Sequence, residues 1–457
     1  MLDRLVDEAA GQLPVHLVAE GDFAGWLEGR DAGIRAWVAA HRYKGEAGKV
    51  LLLPGADGAP AAAVLGLGKT PDLWTFAALT VLPALAWRIE GLDDPELATA
   101  AATGWALGTY EYRRYRKPAE GPFAVLAWPA KADRAAVVRT VRAMGLVRDL
   151  VTTPAQDLGP EELAAAVAEV GNRHGARRRE VVGDDLLAQN YPLIHAVGRA
   201  STRAPRLIEL VWGAPDAPKV TLVGKGVCFD TGGLDLKPAS GMAMMKKDMG
   251  GAATALGLAD MIMDAGLKVR LRLLIPTVEN AVSGNAFRPG DVFRSRAGLT
   301  VEIGNTDAEG RLILADALAD GDDEAPELMI DFATLTGAAR VALGPELPAL
   351  FTDDETLAAD IAAAGAAASD PVWRMPLHAP YRALIDSKIA DINNAGEDGM
   401  AGAITAALFL KDFVGKAKSW AHIDLFAWNN KPRAGRPVGG EALTMRALFA
   451  LLQRRYG

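Results

Sequence analysis

The stretch Asn305-Thr306-Asp307-Ala308-Glu309-Gly310-Arg311-Leu312 places two carboxylates and a guanidinium in one short segment. Residues 299–303 before it alternate between apolar and polar types, as in a half-buried strand, and the apolar residues of 312–318 recur at helical spacing. The segment is therefore predicted to be a strand-to-helix turn, which is where ligands bind in open α/β sheets. A simple turn would use Asn, Gly or Ser, so the acidic pair Asp307 and Glu309 predicts a bound cation.

A similar alternation of strand-like and helix-like segments extends along the chain from residue 220. Strands are predicted at Val220–Val223, Leu271–Ile275, Leu328–Phe332 and Trp420–Leu425, and helices at Gly251–Ala265, Gly310–Leu318, Ala401–Phe413 and Glu441–Leu452. This order predicts an α/β fold with a mostly parallel central sheet that is covered by helices on both faces.

The length of 457 residues exceeds the usual size of one domain. One helical run ends soon after residue 148, and Pro160 suits the first position of the next helix. We therefore predict a smaller N-terminal α/β domain at residues 1–148 and a larger domain with the central sheet at residues 149–457.

Composition and charge narrow the classes of function. The formal net charge of −8 gives no electrostatic attraction to nucleic acid or to an anionic membrane. The single cysteine, Cys228, cannot form an intrachain disulfide, which favours a reducing compartment. The N-terminus is acidic and amphipathic, unlike a secretory signal, and the most apolar windows are shorter than the ~20 residues of a membrane helix. We expect a cytoplasmic protein without nucleic-acid or membrane partners.

A second cluster of charged residues and glycines follows the strand predicted at Val220–Val223. It comprises Gly224–Gly233, Lys237 with Pro238, and Lys246–Gly251. The glycines would let the backbone approach something bound. Taken singly, these residues have ordinary explanations: Asp248 would suit a helix cap, and Lys246 and Lys247 would suit a solvated surface.

Taken together, the two clusters contain four carboxylates at the ends of predicted strands and helices: Asp230, Asp248, Asp307 and Glu309. They would repel one another, and burial would raise their pKa values. One or two divalent cations would resolve this, and oxygen ligands suit Mg²⁺, Mn²⁺ or Zn²⁺. The chain has neither a His-Glu-x-x-His pattern nor a Gly-x-Ser-x-Gly elbow. Cys228 has apolar neighbours and is predicted to be a buried, inert thiol.

These stretches resemble the leucine aminopeptidase (cytosol aminopeptidase) family, a set of two-metal exopeptidases. The residues that carry the resemblance are Asn305–Leu312, which matches the family signature in full, and residues 224–233, 237–238, 246–253, 276–280, 283–284, 288–292 and 331–338. The resemblance covers most of residues 149–457 and implies that they form the catalytic domain. Residues 1–148 carry no comparable match and are expected to serve assembly or regulation.

The resemblance also implies a set of metal ligands and a reaction. The implied ligands of two Mn²⁺ or Zn²⁺ ions are Lys225, Asp230, Asp248, Asp307 and Glu309, of which Asp230 and Glu309 bridge the ions. A ligating lysine must be neutral, and two adjacent cations would lower its pKa. The implied reaction releases N-terminal amino acids, with a leucine-like preference, through attack of a metal-bridging water or hydroxide on the first peptide bond.

Further residues have implied roles in catalysis and in binding. Lys237 would stabilise the oxyanion of the tetrahedral intermediate, and Arg311 would hold a bicarbonate ion that carries a proton to the leaving amine. Met245, Thr334 and Gly337 correspond to residues that line the pocket for the first side chain, although core packing would also explain Met245. Members of the family are usually hexamers, so the resemblance implies a homohexamer.

Two functions of other classes stay open at the level of the sequence. A two-metal phosphoesterase also groups carboxylates, although it commonly recruits histidines. A non-catalytic binding or regulatory protein would keep the fold, but a degenerate relative would be expected to lose at least one ligand position. Turnover of a phosphate ester or of an amino-terminal amide distinguishes these alternatives.

Overall fold

The computed structural model describes residues 1–8, 10–117, 121–396 and 399–457. The described residues form two compact units: Met1–Gly145 with Lys431–Val438, and Leu146–Asn430 with Gly439–Gly457. The division lies within one helix, Arg134–Thr152, which also contains the predicted boundary at residue 148. Among the described residues, no helix is both long and apolar enough to cross a membrane.

The first unit is built on a six-stranded sheet. Its strands are Leu5–Val6 (β1), Leu13–Ala19 (β2), Val50–Pro54 (β3), Pro60–Gly68 (β4), Ala86–Ile89 (β5) and Val125–Ala127 (β6). The helices up to the division are Phe23–Glu28 (α1), Ala32–Ala40 (α2), Leu73–Ala77 (α3), Pro95–Gly108 (α4) and Arg134–Thr152 (α5). The strand order is β1-β6-β5-β2-β4-β3, and the β3–β4 pair is antiparallel whereas the other pairs are parallel.

The second unit contains the larger sheet and most of the helices. Its strands are Arg177–Val182 (β7), Arg206–Trp212 (β8), Lys219–Gly224 (β9), Gly226–Asp230 (β10), Arg270–Asn280 (β11), Val292–Arg294 (β12), Thr300–Glu302 (β13), Leu328–Ala333 (β14), Ala349–Phe351 (β15), Trp373–Arg374 (β16), Ile392–Asn393 (β17), Trp420–Asp424 (β18), Trp428–Asn429 (β19) and Gly439–Gly440 (β20). Its helices are Pro160–His174 (α6), Asp185–Ala188 (α7), Pro192–Gly198 (α8), Ala239–Met242 (α9), Gly250–Asp264 (α10), Glu309–Asp322 (α11), Gly337–Leu343 (α12), Glu355–Ala367 (α13), Gly402–Lys411 (α14) and Met445–Tyr456 (α15).

The central sheet has the order β16-β15-β18-β14-β9-β11-β8-β7, and β10 also pairs with β11. Its central strands β18, β14, β9, β11 and β10 are parallel, and antiparallel pairs occur towards both edges. Helices including α10 and α11 pack against it. The predicted α/β fold with a mostly parallel sheet is therefore confirmed. Helix α15 begins after the predicted start at Glu441, because Thr444 has a positive φ of 63°.

The strand before Asn305–Leu312 is β13, and the helix after it is α11, so the predicted strand-to-helix turn is confirmed. However, β13 pairs with β12 and β17 in a separate three-stranded sheet and does not belong to the central sheet. Helix α11, which follows the turn, packs against the central sheet. All 14 residues of this helix are buried, and its apolar side chains pack with residues of β9, β11 and β13 such as Val223, Leu274 and Val301.

Candidate functional site

Lys225 lies between β9 and β10, two short strands that pair in succession with the long strand β11. At this interruption its backbone N–H donates to the Phe332 carbonyl of β14 at 2.9 Å. A Cβ at the neighbouring Gly224 would lie 2.6 Å from the Ala252 Cα of α10. Close packing of α10 on the sheet therefore accounts for this glycine, which the sequence associates with a bound ligand. A Cβ at Gly310 of α11 would lie 2.5 Å from the Lys225 Cε, so a larger residue there would displace the end of the Lys225 side chain.

Asp230 is the last residue of β10 and lies in register with Asn280, the last residue of β11. The Asn280 side chain donates to Asp230 Oδ1 at 2.8 Å and to the Thr306 carbonyl at 3.1 Å. The Gly232 N–H also donates to Asp230 Oδ1, at 2.8 Å. Asn280 therefore fixes one oxygen of Asp230 and ties it to the turn before α11.

Asp307 and Glu309 enter the site from the turn between β13 and α11. The Asp307 N–H donates to the Asn305 side-chain oxygen at 2.7 Å, which stabilises the turn, and Glu309 is the first residue of α11. One carboxylate oxygen from each of Asp230, Asp307 and Glu309 lies within 4.8 Å of the others. The fold thus brings together three carboxylates that are far apart in the sequence.

Asp248 approaches from the 3₁₀ helix Met245–Met249, which precedes α10. The Thr334 hydroxyl donates to Asp248 Oδ1 at 2.7 Å. Helix α10 begins at Gly250 after Met249 and has no side-chain cap, so capping does not account for Asp248. Its second oxygen lies 2.7 Å from the Lys225 Nζ, which connects Asp248 to the other carboxylates.

Lys225 is the buried cation of this cluster. Besides Asp248, its Nζ lies 3.0 Å from Glu309 Oε1 and donates to the Thr334 carbonyl at 3.2 Å. Burial would lower the pKa of this ammonium, but the neighbouring carboxylates outweigh burial and raise the pKa. Lys225 therefore forms ion pairs with Asp248 and Glu309, and it would have to lose a proton to act as a metal ligand.

Lys237 forms ion pairs with the other two carboxylates of the cluster, Asp230 and Asp307. Its Nζ lies 2.9 Å from Asp230 Oδ2 and pairs with Asp307 Oδ1. Burial would lower the pKa of Lys237, but Asp230 and Asp307 outweigh it and raise the pKa. The four carboxylates thus carry more negative charge than these two ammonium groups neutralise.

Burial and mutual repulsion disfavour the ionised forms of Glu309 and Asp307. Burial and the nearby Asp230 raise the pKa of Glu309 to about 8, against the opposing effect of Lys225. The same two causes raise the pKa of Asp307 to about 6, against the effect of Lys237. Glu309 Oε2 is buried and has no hydrogen-bond partner among the described residues. Such oxygens, with one amine nitrogen, are a donor set that suits Mn²⁺ or Zn²⁺, so the residues present fit a divalent cation.

These groups line one cavity of about 310 Å³. Nine of the ten residues that the sequence implicates lie on its wall: Lys225, Asp230, Lys237, Met245, Asp248, Asp307, Glu309, Thr334 and Gly337. The position of Gly337 has open space where a Cβ would be. The wall also includes Phe426, and the Lys247 Nζ and the Arg340 Cζ lie 4.8 Å and 5.3 Å from the centre of its ring.

Arg311 is the sequence-implicated residue outside the described lining of this cavity. It belongs to the first turn of α11, and its Nη1 donates to the Asn394 carbonyl at 2.6 Å. Burial lowers the pKa of the guanidinium to about 10, although Glu309 and Asp424 act in the opposite direction. Its Nε has no hydrogen-bond partner within the described ranges, so the guanidinium keeps a donor for a further group.

Sequence reasoning missed three residues of the site: Asn280, Lys247 and Asp424. Asn280 and Asp424 end the parallel strands β11 and β18, and their positions at the carboxyl ends of strands were the signal available. Lys247 looks like a solvated charge in the sequence, but it is buried beside Asp248, and burial lowers its pKa to about 8. Cys228 is buried, and burial raises the pKa of its thiol to about 12, as expected for an inert cysteine.

Two protein-family models match the chain. The family model described as "Cytosol aminopeptidase family, catalytic domain" matches residues 145–449. A second model, "M17 aminopeptidase, N-terminal domain", matches residues 13–129. The two matches together cover most of the chain.

Individual relatives match over similar lengths. Peptidase B of Pectobacterium atrosepticum is 41% identical over 395 residues, which cover 84% of this chain and 90% of the relative. A probable cytosol aminopeptidase of Chlorobium limicola is 37% identical over 468 residues, which cover 93% of each chain.

Two solved structures extend the likeness to the fold. The crystal structure of the cytosol aminopeptidase from Coxiella burnetii is similar with a TM-score of 0.94 at 47% identity, over 100% of both chains. The bottromycin maturation enzyme BotP, solved in complex with Mn, is similar with a TM-score of 0.87 at 35% identity, over 98% of this chain and 100% of that one.

Proposed function

Because the chain belongs to the cytosol aminopeptidase family, we propose that it releases leucine-like N-terminal residues from peptides with two divalent ions in the carboxylate cluster. As a family member it is a metal-dependent aminopeptidase, a hydrolase that acts on peptides. The observation that carries the proposal is the buried cluster around Glu309, whose second oxygen lacks a partner among the described residues.

The proposed ligands are Lys225, Asp230, Asp248, Asp307 and Glu309. Asp230 and Glu309 are assigned to both ions, Lys225 and Asp248 to one, and Asp307 to the other. The ions are Mn²⁺ or Zn²⁺, and the Mn complex of a similar enzyme supports Mn²⁺. When bound, two such ions supply a water of lowered pKa as the nucleophile and a positive charge for the substrate's amino group.

Lys237 is assigned to the oxyanion that develops on the carbonyl of the first peptide bond. Its ammonium is on the cavity wall, and Asp230 and Asp307 favour its charged form. A charged donor that is already oriented stabilises the transition state without reorganisation, and losing such a donor costs about 10²–10³ in kcat.

Arg311 is assigned to a bicarbonate ion that carries a proton to the leaving amine. The support is its position in the first turn of α11 after Glu309, together with the Nε donor that lacks a partner among the described residues. A buried guanidinium with a free donor is suited to bind a planar oxyanion.

The leucine-like preference is assigned to a pocket formed by Met245, Thr334 and Gly337. The thioether of Met245 and the open space at Gly337 favour an apolar side chain of medium size. Lys247 lies on the same cavity wall, so an acidic side chain is the informative comparison in any assay of preference.

We also propose that the enzyme is a cytoplasmic homohexamer and that its first unit serves assembly or regulation. The name of its relatives and the single cysteine support the cytoplasmic location, and the match of an N-terminal family domain supports a family role for the first unit. The hexamer rests on the family resemblance alone. Sedimentation of the full chain tests the hexamer, and sedimentation of the chain without residues 1–148 tests whether the first unit serves assembly.

The experiment that tests the proposed reaction compares three amides: leucyl, glutamyl and N-acetyl-leucyl 4-nitroanilide. We expect the leucyl amide to be hydrolysed fastest and the acetylated amide to be inert, because acetylation removes the amino group. Chelation should abolish turnover, and Mn²⁺, Zn²⁺ or Co²⁺ should restore it. Equal turnover of the acetylated amide, or turnover of a phosphate ester in place of all three amides, would contradict the proposal. Faster turnover of the glutamyl amide would refute the leucine-like preference alone.

A further inference from the structure

Asp424 is a cavity-lining carboxylate whose hydrogen-bond donors all belong to one short loop. It ends β18 and lies in register beside Ala333, the last residue of the parallel strand β14. Its Oδ1 accepts hydrogen bonds from the Leu335 N–H at 3.0 Å and the Thr336 N–H at 3.3 Å. Its Oδ2 accepts from the Thr336 hydroxyl at 2.6 Å. The carboxylate thus holds loop 334–336, which connects β14 to α12.

The same loop is held from its other side by two proposed metal ligands. The Thr334 carbonyl accepts a hydrogen bond from the Lys225 Nζ at 3.2 Å. The Thr334 hydroxyl donates to Asp248 Oδ1 at 2.7 Å and to the Asp248 carbonyl at 3.1 Å. A shift of the loop would therefore remove hydrogen bonds that orient Lys225 and Asp248.

We propose that Asp424 is a positioning residue that maintains the metal ligands by holding loop 334–336 in place. Both of its oxygens accept hydrogen bonds from the loop, which supports a role in orienting other groups. Partners that orient metal ligands in this way typically change metal affinity or activity by 10–100-fold when they are replaced. The proposal rests on the metal site proposed above, and the Mn²⁺ affinity of the unaltered protein tests that site separately.

The chain offers a matched control for Asp424 in Asp370. Both carboxylates are 4% exposed. Asp370 also accepts three hydrogen bonds, from the N–H groups of Thr444, Arg446 and Ala447 at 3.0, 2.9 and 3.3 Å. These donors belong to the start of α15, and Asp370 is not part of the described lining of the cavity. The replacements Asp424→Ala and Asp370→Ala each remove three hydrogen bonds, and Asp370→Ala also removes an ion pair with Arg446.

The experiment measures Mn²⁺ affinity by calorimetry of the metal-free full chain, together with kcat, KM and Tm. We expect Asp424→Ala to weaken Mn²⁺ binding by about 10–100-fold and to lower kcat more than it changes KM. Asp370→Ala should lower Tm by about as much as Asp424→Ala does, and it should leave Mn²⁺ affinity unchanged. Asp424→Asn keeps one acceptor oxygen and the volume, so it should weaken Mn²⁺ binding less than Asp424→Ala does.

Two results would overturn the proposal. The first is unaltered Mn²⁺ affinity in both variants of Asp424, which would limit its role to stability. The second is an equal loss of Mn²⁺ affinity in Asp370→Ala, which would show a general effect of destabilisation. If Asp424→Ala does not fold, the comparison of Asp424→Asn with Asp370→Asn decides the question by the same Mn²⁺ measurement.

Discussion

Glu309 and Asp320 lie near opposite ends of α11, and both are buried carboxylates beside cations. Asp320 is fully paired: Arg272 donates to its Oδ2 at 2.8 Å, and Arg296 lies 2.9 Å from its Oδ1. Glu309 pairs through one oxygen with Lys225, and its other oxygen has no hydrogen-bond partner among the described residues. The same helix thus carries one carboxylate that the protein satisfies by itself and one that it does not.

The difference separates a structural ion pair from a binding site. Arg272 also donates to Glu209 at 2.6 Å, and the carboxylates raise its pKa against the effect of burial. Both oxygens of Asp320 thus have a partner within the protein. Around Glu309, burial and Asp230 raise the pKa to about 8, so the ionised site needs an additional positive charge. Burial and charge alone do not distinguish Glu309 from Asp320. The two differ in whether each carboxylate oxygen has a partner within the described residues.

The largest expected effect comes from neutralising the two carboxylates separately. Glu309→Gln should abolish Mn²⁺ binding and with it almost all turnover of the leucyl amide, while the metal-free protein unfolds at the same or a higher temperature. Asp320→Asn should lower stability by about 1–3 kcal/mol, because it removes one of the two carboxylates that pair with the buried Arg272, and should keep the kcat of the folded enzyme. Urea unfolding and leucyl-amide kinetics measure both variants. Full activity in Glu309→Gln would contradict the assignment of Glu309 to a binding site and of Asp320 to a structural ion pair.

A smaller effect is expected at Lys237, which pairs with the cluster without being assigned as a ligand. Lys237→Met should lower kcat by about 10²–10³, since it removes the donor assigned to the oxyanion, and should leave two Mn²⁺ sites per chain. Lys219→Met is the control, because the Lys219 Nζ donates to the Glu324 carbonyl at 2.9 Å, outside the described lining of the cavity. Kinetics and Mn²⁺ titration of both variants are the measurements. Loss of a Mn²⁺ site in Lys237→Met would place Lys237 among the ligands.

The smallest effect concerns Asp316, a third buried carboxylate of α11, which caps α8 through the N–H groups of Leu193 and Ile194. Burial raises its pKa from 3.8 to about 7, against the effect of its hydrogen bonds and of Arg296. A raised folded pKa means that the stability from the protonated group is present at low pH and is lost as the pH rises from about 4 to 7. The free energy of unfolding should therefore fall over this range by at most about 1.4 kcal/mol per pH unit from this group.

Urea unfolding of the metal-free protein between pH 4 and 7 checks this expectation. Asp316→Asn should remove this contribution to the slope, and Mn²⁺ should leave the difference between the two proteins unchanged. A slope that is identical in Asp316→Asn and the unaltered chain would contradict the role of Asp316. Because Asp316 is outside the described lining of the cavity, the result also separates burial effects from metal effects.

Much of the fold could be predicted from the sequence, because the strands of the central sheet are short apolar runs and the helices follow them at regular spacing. The strands β9, β11, β14 and β18 and the start of α11 were accessible in this way. The pairing of β13 in a separate sheet was not, since pairing depends on contacts with β12 and β17 that no local pattern specifies. The return of Lys431–Val438 to the first unit is also a long-range contact.

Long-range contacts also limit what the sequence predicts about the site. Acidic residues beside glycines are visible in the sequence, and the structure groups Asp230, Asp307 and Glu309 within one cluster. Asn280 and Asp424 act by hydrogen bonds to other residues of the site, and such a role depends on register between neighbouring strands. Their residue types alone give no sign of it.

The central claim is that the cluster around Glu309 is a two-metal site on which peptidase activity depends. The most direct test is metal analysis of the purified chain during stepwise addition of Mn²⁺ to the chelated protein, with leucyl-amide turnover measured at each step and Glu441→Gln as a variant of a buried glutamate paired with Arg148. We expect two ions per chain in the unaltered protein and in Glu441→Gln, turnover that rises with their binding, and loss of both in Glu309→Gln. Full turnover without bound metal, or unchanged metal binding in Glu309→Gln, would contradict the claim.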